Sequence, residues 1–315
     1  NASAVTTITG SASEITTVYA SSGISGLGDE AITVSAGSAT AAQLNAINSG
    51  TTGLVTATAV TTVTGTAAQI NTLVGNEGTS GNKVNLATDV AITVSAGTTT
   101  AAILNTLNAA TTGLITATAV TAISGTSAQL NTLAGNEGTA ANKVDLLSNV
   151  AITVDNGTTT AAQLNTINGI TAGLIDSTAV TAISGSASDL NTLVGNEGTS
   201  GDKVDLKADV ALTVSAGATT AAILNTINDV TTSVVTATAV TSLTGTAAQL
   251  ITLINNEGSS GDKVDLDGDF TVTITDTPTD AQLSTIDAAT TGTISYNDSG
   301  GDDETVTDSS VTASY

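Results

Sequence analysis

The stretch Asp-Lys-Val-Asp-Leu-Asp-Gly-Asp-Phe at 262–270 carries four hard oxygen ligands, Asp262, Asp265, Asp267 and Asp269. Carboxylates at such short spacing are the donors that calcium takes. These four are the candidate metal ligands and calcium is the candidate ion; nothing else in the chain calls for a cofactor. The order differs from a helix–loop–helix calcium loop, because glycine follows the second of the three alternating acids. Earlier repeats offer poorer versions, with Asn85 for Asp265 and Ala87 for Asp267. A second acidic run occupies 297–308. Solvated acidic turns have the same composition, so both runs compete with that plainer reading.

Other chemistry is scarce. Histidine and cysteine are absent, which removes the commonest general bases, nucleophile pairs and transition-metal ligands, along with any disulfide. The remaining polar residues recur in every copy of a repeat, whereas an active site needs one unique constellation. The expectation is a protein that is not an enzyme. Its 28 acids and 5 lysines give a net charge of −23, the wrong sign for nucleic acid or an anionic membrane. No apolar run reaches the ~18 residues of a membrane-spanning helix. No signal peptide is seen and the chain starts at Asn1, which reads as a processed or excerpted polypeptide.

Two repeated polar features remain. The tripeptide Thr-Ala-Thr recurs at 56–58, 116–118 and 236–238, with Asp176 and Ser177 interrupting the row in the third copy. Aligned threonines on a flat stack of strands can order water, as an ice-binding face does, although threonine is also simply a good exposed strand residue. Glu77, Glu137, Glu197 and Glu257 keep register with Lys83, Lys143, Lys203 and Lys263. This spacing suggests a ladder of ion pairs, each worth only about 0–1 kcal/mol at a surface.

The elements that position these residues follow from the repeat. The chain reads as a partial repeat at 1–30, four copies at 31–90, 91–150, 151–210 and 211–270, then a divergent coil and acidic tail at 271–315. Each period contains two related halves of unequal length, marked by the core leucines Leu104, Leu130 and Leu164. In each half a β-branched run with period-two alternation predicts a strand. A Thr-x-x-Gln capping box then predicts a short helix at 40–43 and 66–69, and a β-rich run such as Gly-Leu-Val-Thr-Ala-Thr-Ala-Val at 53–60 predicts a returning strand. Asn48 and Gly53 are expected to end the helix that starts at Thr40. A helix of about two turns is unstable alone, and one coil cannot bury its own apolar face, so neighbouring coils must cover it.

The predicted fold is therefore an α/β solenoid of stacked strand–short helix–strand coils with parallel β-sheets, two coils per 60-residue repeat. The expected inward positions are Ile92, Val94, Leu104, Leu107, Leu114, Ile123, Leu130, Leu133, Val144 and Leu146, with their equivalents in the other copies. About ten coils at ~4.8 Å spacing predict a rod roughly 50 Å long. Neither end shows a polar cap in the sequence, which suggests either an excerpt of a longer array or end-to-end stacking.

The phrases Thr-Ala-Ala-Gln-Leu-Asn-Thr-Ile-Asn (160–168), Ala-Thr-Thr-Gly-Leu-Ile-Thr-Ala-Thr-Ala-Val-Thr (110–121) and Val-Tyr-Ala-Ser-Ser-Gly-Ile-Ser-Gly-Leu-Gly-Asp-Glu-Ala-Ile-Thr-Val-Ser (18–35) carry a resemblance. They resemble the repeats of giant acidic cell-surface proteins of marine unicellular cyanobacteria, associated with swimming motility and adhesion, over residues 1–295. The resemblance implies an extracellular structural role and supplies no catalytic residues. Relatives of that kind often carry glycine- and aspartate-rich calcium nonapeptides, and no proper copy is present here. The functional expectation is an extracellular rod, stalk or head-to-tail filament on a cell surface. It would associate with itself end to end or laterally, and its other partners would be a surface glycan or another cell-surface component. A phage or viral fibre of the same architecture is the first alternative. A calcium-dependent adhesin or ice-binding surface is the second.

Overall fold

The computed structural model describes residues 1–297 and 303–306. It divides into two compact units. The first contains Asn1–Thr153 and Ile170–Gly173, the second Val154–Gly169 and the chain from Leu174 onward.

Short capped helices are the first thing the sequence makes. The first unit contains α1 (Ala12–Ala20), α2 (Ala41–Gly50), α3 (Ala67–Gly75), α4 (Ala101–Ala110) and α5 (Ser127–Asn136). The second contains α6 (Ala161–Asn168), α7 (Ala187–Gly195), α8 (Ala221–Asn228), α9 (Ala247–Asn255) and α10 (Asp280–Asp287). The capping boxes form as expected: the Gln43 amide donates to Thr40 Oγ1 at 3.1 Å, and the Thr40 amide donates to Gln43 Oε1 at 3.0 Å. Such a reciprocal pair satisfies two amides that the helix itself leaves orphaned. In α2 the buried face is Ala41, Leu44 and Ile47, the i, i+3, i+6 positions of one helical side.

Strands pair in parallel between successive coils. In the first unit one sheet runs Thr7–Gly10, Ala31–Val34, Val55–Ala57, Val84–Leu86. A second runs Gly37–Thr40, Val60–Gly65, Ala91–Val94, Ile115–Ala117, Val144–Leu146. The second unit repeats this order with Gly157–Thr160, Val180–Gly185, Ala211–Val214, Val235–Ala237, Val264–Leu266. Each unit is an α/β solenoid, with strand, short helix and strand in every coil and two coils per period. Most of the fully buried side chains are aliphatic, Leu44, Ile70, Leu104 and Leu133 among them, with Phe270 a buried aromatic.

Three expectations need correction. The return run at 53–60 is two strands rather than one: Val55–Ala57 stays in one sheet, a short corner follows, and Val60–Gly65 enters another. After Ala91–Val94 a further strand, Gly97–Thr100, starts a new sheet by pairing with Val120–Gly125. The inward residue at the return is Ile115, fully buried, while Leu114 is only half-buried; alternation across an unrecognised corner assigns the wrong face. Gly53 does not end α2, which runs to Gly50.

Gly53 and its equivalents have a different task. A Cβ on Gly113 would lie 2.5 Å from the Val90 carbonyl oxygen, and one on Gly173 would lie 2.5 Å from that of Val150. Glycine leaves room for one coil to pass close to the backbone of the previous one; in the fourth copy Ser233 holds this place and its hydroxyl donates to the Asp209 carbonyl at 2.7 Å. In the second copy Ala141 stands where Gly81 and Gly201 take φ of 65° and 68°, and the left-handed conformation moves one residue on, to Asn142 at φ 59°. Asparagine is among the few side chains that tolerate it.

The last coil departs from the others. One residue is missing and Pro278 lies where Gly217–Thr220 forms a strand one repeat earlier; no strand forms there. Proline has no amide to give a ladder. The final sheet then ends Ile294–Asn297 against Asp303–Val306, and that pair is antiparallel. The strand pairs named above are all parallel. The C-terminal coil thus ends the parallel pattern with an antiparallel strand, an edge treatment absent from the sequence expectation.

Candidate functional site

The four candidate calcium ligands sit in different local settings. Asp262 lies in the loop after α9 and its Oδ1 accepts from Asn228 Nδ2 at 3.3 Å. Asp265 belongs to the strand Val264–Leu266 and stands opposite Thr236. Asp267 accepts from the Gly268 amide at 2.8 Å, and Asp269 is exposed. Among the described residues no group of three or more acidic side chains converges to hold a metal ion. Most of the other acidic run, 298–302 and 307–308, lies outside the described residues.

The hydroxyl rows are real but one threonine wide. Thr40, Thr64, Thr93 and Thr116 occupy successive register positions across one sheet, and the row closes on Asp145. In the second unit the same row reads Thr160, Ser184, Thr213, Thr236, Asp265. Only the first threonine of each Thr-Ala-Thr joins a row. Ala57 is buried, and Thr58 lies in the exposed corner. In the third copy Asp176 pairs with Asp205, a like-charge neighbour that weakens the sheet locally.

The Glu–Lys ladder does not form. Lys143 Nζ donates to the Gly135 carbonyl at 2.9 Å, Lys203 to Gly195 at 3.4 Å and Lys263 to Asn255 at 3.1 Å. Each lysine therefore caps the C-terminal end of α5, α7 or α9, where unsatisfied carbonyls and the helix dipole attract a cation. The one ion pair among the described residues is Lys207–Asp209, 3.0 Å and exposed; its hydrogen bond holds the Asp209 carboxyl below the usual range, and such pairs contribute little.

The recurring polar contacts that sequence reasoning missed run from coil to coil. Asn45 Nδ2 donates to the Gln69 carbonyl, Asn105 to Gln129 and Asn165 to Asp189, each at 2.9 Å, and Asn225 to Gln249 at 3.1 Å. Each bond joins a first-half helix to the second-half helix after it. Buried threonines form a second set. Thr111 Oγ1 donates to the Val90 carbonyl at 2.7 Å, while Thr51, Thr171 and Thr231 donate to Glu30, Val150 and Val210 at 2.6 Å. The same hydroxyls accept from the amide two positions on, as Thr111 does from Gly113 at 2.9 Å. The Leu-Asn-Thr and Thr-Thr-Gly phrases were the available signal, but their partners lie in the neighbouring coil, far outside any local window.

No protein-family model, curated protein or solved structure matches this chain.

Among the described residues, the polar cluster around Glu30 has no copy in the other coils. Glu30 is 1% exposed. Its carboxylate accepts from the Tyr19 hydroxyl, from the Gly28 amide at 2.7 Å and from the Asp29 amide at 3.2 Å. Burial pushes the Glu30 carboxyl up, but these donors outweigh it and hold it below the usual value. Burial, and then the Glu30 carboxylate, push the Tyr19 phenol well up. The pair is structural in setting, because it replaces apolar core.

Proposed function

We propose that this chain is an extracellular structural repeat protein, a stalk-like element on a cell surface that works mechanically and carries out no catalysis. The observation that carries the reading is the repetition of the same coil-to-coil clamps, one asparagine amide and one threonine hydroxyl per period, each onto a backbone carbonyl. Polar groups are spent on fastening coils, where an enzyme would concentrate them in one place. In a stacked-repeat protein each coil is stable only beside another, and stability sums over neighbour contacts. The net charge of −23 keeps such a surface self-repelling. The resemblance to cyanobacterial surface repeats points the same way.

Two measurements test this. Pulling the chain by its ends should give stepwise unfolding in increments of one or two coils, up to about 210 Å for a 60-residue period; a single all-or-none rupture would contradict a mechanical array. Antibody labelling of intact source cells should decorate the surface, and labelling only after lysis would sink the location. Detection of the chain in purified virions instead would favour the fibre alternative.

A further inference from the structure

The chain contains two Asn-Gly pairs, Asn156–Gly157 and Asn168–Gly169, both in the third copy of the repeat. Asparagine is a thermolabile residue, and a following glycine exposes it most. With no Cβ in the way, the glycine nitrogen can reach the asparagine side-chain carbonyl carbon. The fold gives the two pairs opposite surroundings. Asn168 is the last residue of α6, and its Oδ1 is buried. The Gly169 amide donates to the Asn165 carbonyl at 3.1 Å and to the Thr166 carbonyl at 3.2 Å. Its nitrogen must leave the helix end before it can attack anything.

Asn156 is exposed, in the corner between the strands Ala151–Val154 and Gly157–Thr160. Gly157 opens a strand at the edge of its sheet, and the register of that ladder slips between Gly157 and Thr158. A Cβ on Gly157 would meet nothing within 4 Å, so the backbone there has room to rearrange. The other copies show which residue the corner requires. They carry Ala36, Ala96 and Ala216 in place of Asn156. All four keep the glycine, as Gly37, Gly97, Gly157 and Gly217, at φ of 132°, 141°, 149° and 134°. The positive φ accounts for the glycine. The asparagine has no part in making the corner.

We propose that Asn156 is a site of spontaneous covalent modification, which closes a succinimide with Gly157 and opens to aspartate or isoaspartate. The Gly157 nitrogen attacks Asn156 Cγ, and the bond from Cγ to the side-chain nitrogen breaks. That nitrogen leaves as ammonia with the proton that Gly157 gives up. Water then adds to one of the two ring carbonyl carbons and breaks its bond to the ring nitrogen, which recovers a proton. Opening at Cγ gives aspartate; opening at the Asn156 backbone carbonyl carbon gives isoaspartate. Nothing is oxidised or reduced. Either product puts a new carboxylate beside Asp155, and isoaspartate also adds one carbon to the backbone just before an edge strand, where register sets which face each side chain takes. The inference goes beyond the structural role proposed above and stands or falls separately from it.

Peptide mapping by mass spectrometry tests the site, after the intact folded chain has stood at mildly alkaline pH near body temperature. The peptide that contains Asn156 should exchange ammonia for water and split into two products of equal mass, one of them isoaspartyl. The Asn168 peptide should convert at least about tenfold more slowly, because Gly169 must first give up its hydrogen bonds. Isomerisation at Asp267–Gly268 releases no ammonia and so leaves this readout untouched. Asn156→Ala, which installs the residue of the other three copies, should melt as the wild type does and abolish the fast conversion. In urea the two asparagines should convert at similar rates. An unchanged Asn156 peptide in the folded chain, or Asn168 converting as fast, overturns the proposal. A preference for Asn156 that persists in urea also overturns it, because the fold would then not be what selects the site.

Discussion

The coil that contains α1 and the coil that contains α3 share a capped helix start and lead into the same strand sequence, Ala31–Val34 and Ala91–Val94. They fill one interior position with opposite chemistry. In the α3 coil it is Val90, 3% exposed, with Val74 at the helix end. In the α1 coil it is Glu30, with Tyr19 at the helix end. The difference follows from the loop. The α3 coil passes from Val74 to Val90 through the segment 75–89, which includes the strand Val84–Leu86. The α1 coil passes from Tyr19 to Glu30 through the shorter segment 20–29, which has no such strand. The shorter loop brings the Gly28 and Asp29 amides to the carboxylate. A buried charge is tolerable only when it is fully hydrogen-bonded, and here two amides and a phenol supply those bonds. The threonine clamp is indifferent to the exchange: Thr51 binds the Glu30 carbonyl as Thr111 binds that of Val90.

The sharpest way to break the comparison is Val90→Glu. It places a carboxylate in a slot with no phenol and no converging amides. It should destabilise by roughly 3–5 kcal/mol, read by urea unfolding, and a loss under about 1 kcal/mol would mean that the slot does not discriminate. Next is Tyr19→Phe, which leaves the Glu30 carboxylate a donor short. We expect a loss of about 1–3 kcal/mol, with Tyr19→Phe/Glu30→Val more stable than Tyr19→Phe alone; a double variant worse than both singles would show that the polar pair is preferred to apolar filling.

Smaller and equal effects are expected from Thr51→Val and Thr111→Val, about 1 kcal/mol each. Clearly unequal losses would tie the clamp to the side chain it passes. The last effect is in pH dependence. Glu30 lies below its ordinary 4.5 in the folded chain, so its contribution is present above that value and fades as pH falls through the lowered one. Tyr19 lies above its ordinary 10.0, so its contribution holds below that value and fades as pH rises toward the raised one. The gap in melting temperature between wild type and Glu30→Gln/Tyr19→Phe should be widest near neutral pH and narrow at both extremes. A gap constant from about pH 3 to about pH 11 would contradict the assignment.

Much of the candidate-site chemistry was invisible in the sequence for one reason. Asp262, Asp265, Asp267 and Asp269 attract attention because they are neighbours in the chain, yet adjacency along a turning coil is not convergence in space, and Asp262 is bound to Asn228 at the end of α8, one helix further back than the α9 it follows. In the sequence Glu30 is one acid among 28. Its burial, its phenol partner in α1 and the missing strand beside it are relations between segments.

By itself the sequence determined what is local or strictly periodic. The repeat period and its two halves, the Thr-x-x-Gln helix starts and the aliphatic core on one helical face follow from contacts within a single helical turn, and from a pattern that recurs in the chain whatever its fold. Tertiary structure alone decided where each strand goes. Short corners split single β-rich runs between sheets, and nothing local tells a corner from a continuing strand of small and β-branched residues. It also decided which carbonyl each asparagine and threonine holds, and where one coil passes close to another, because those depend on the backbone of a neighbouring coil. Local bonds are written into the sequence that makes them, whereas contacts between coils depend on how the chain returns.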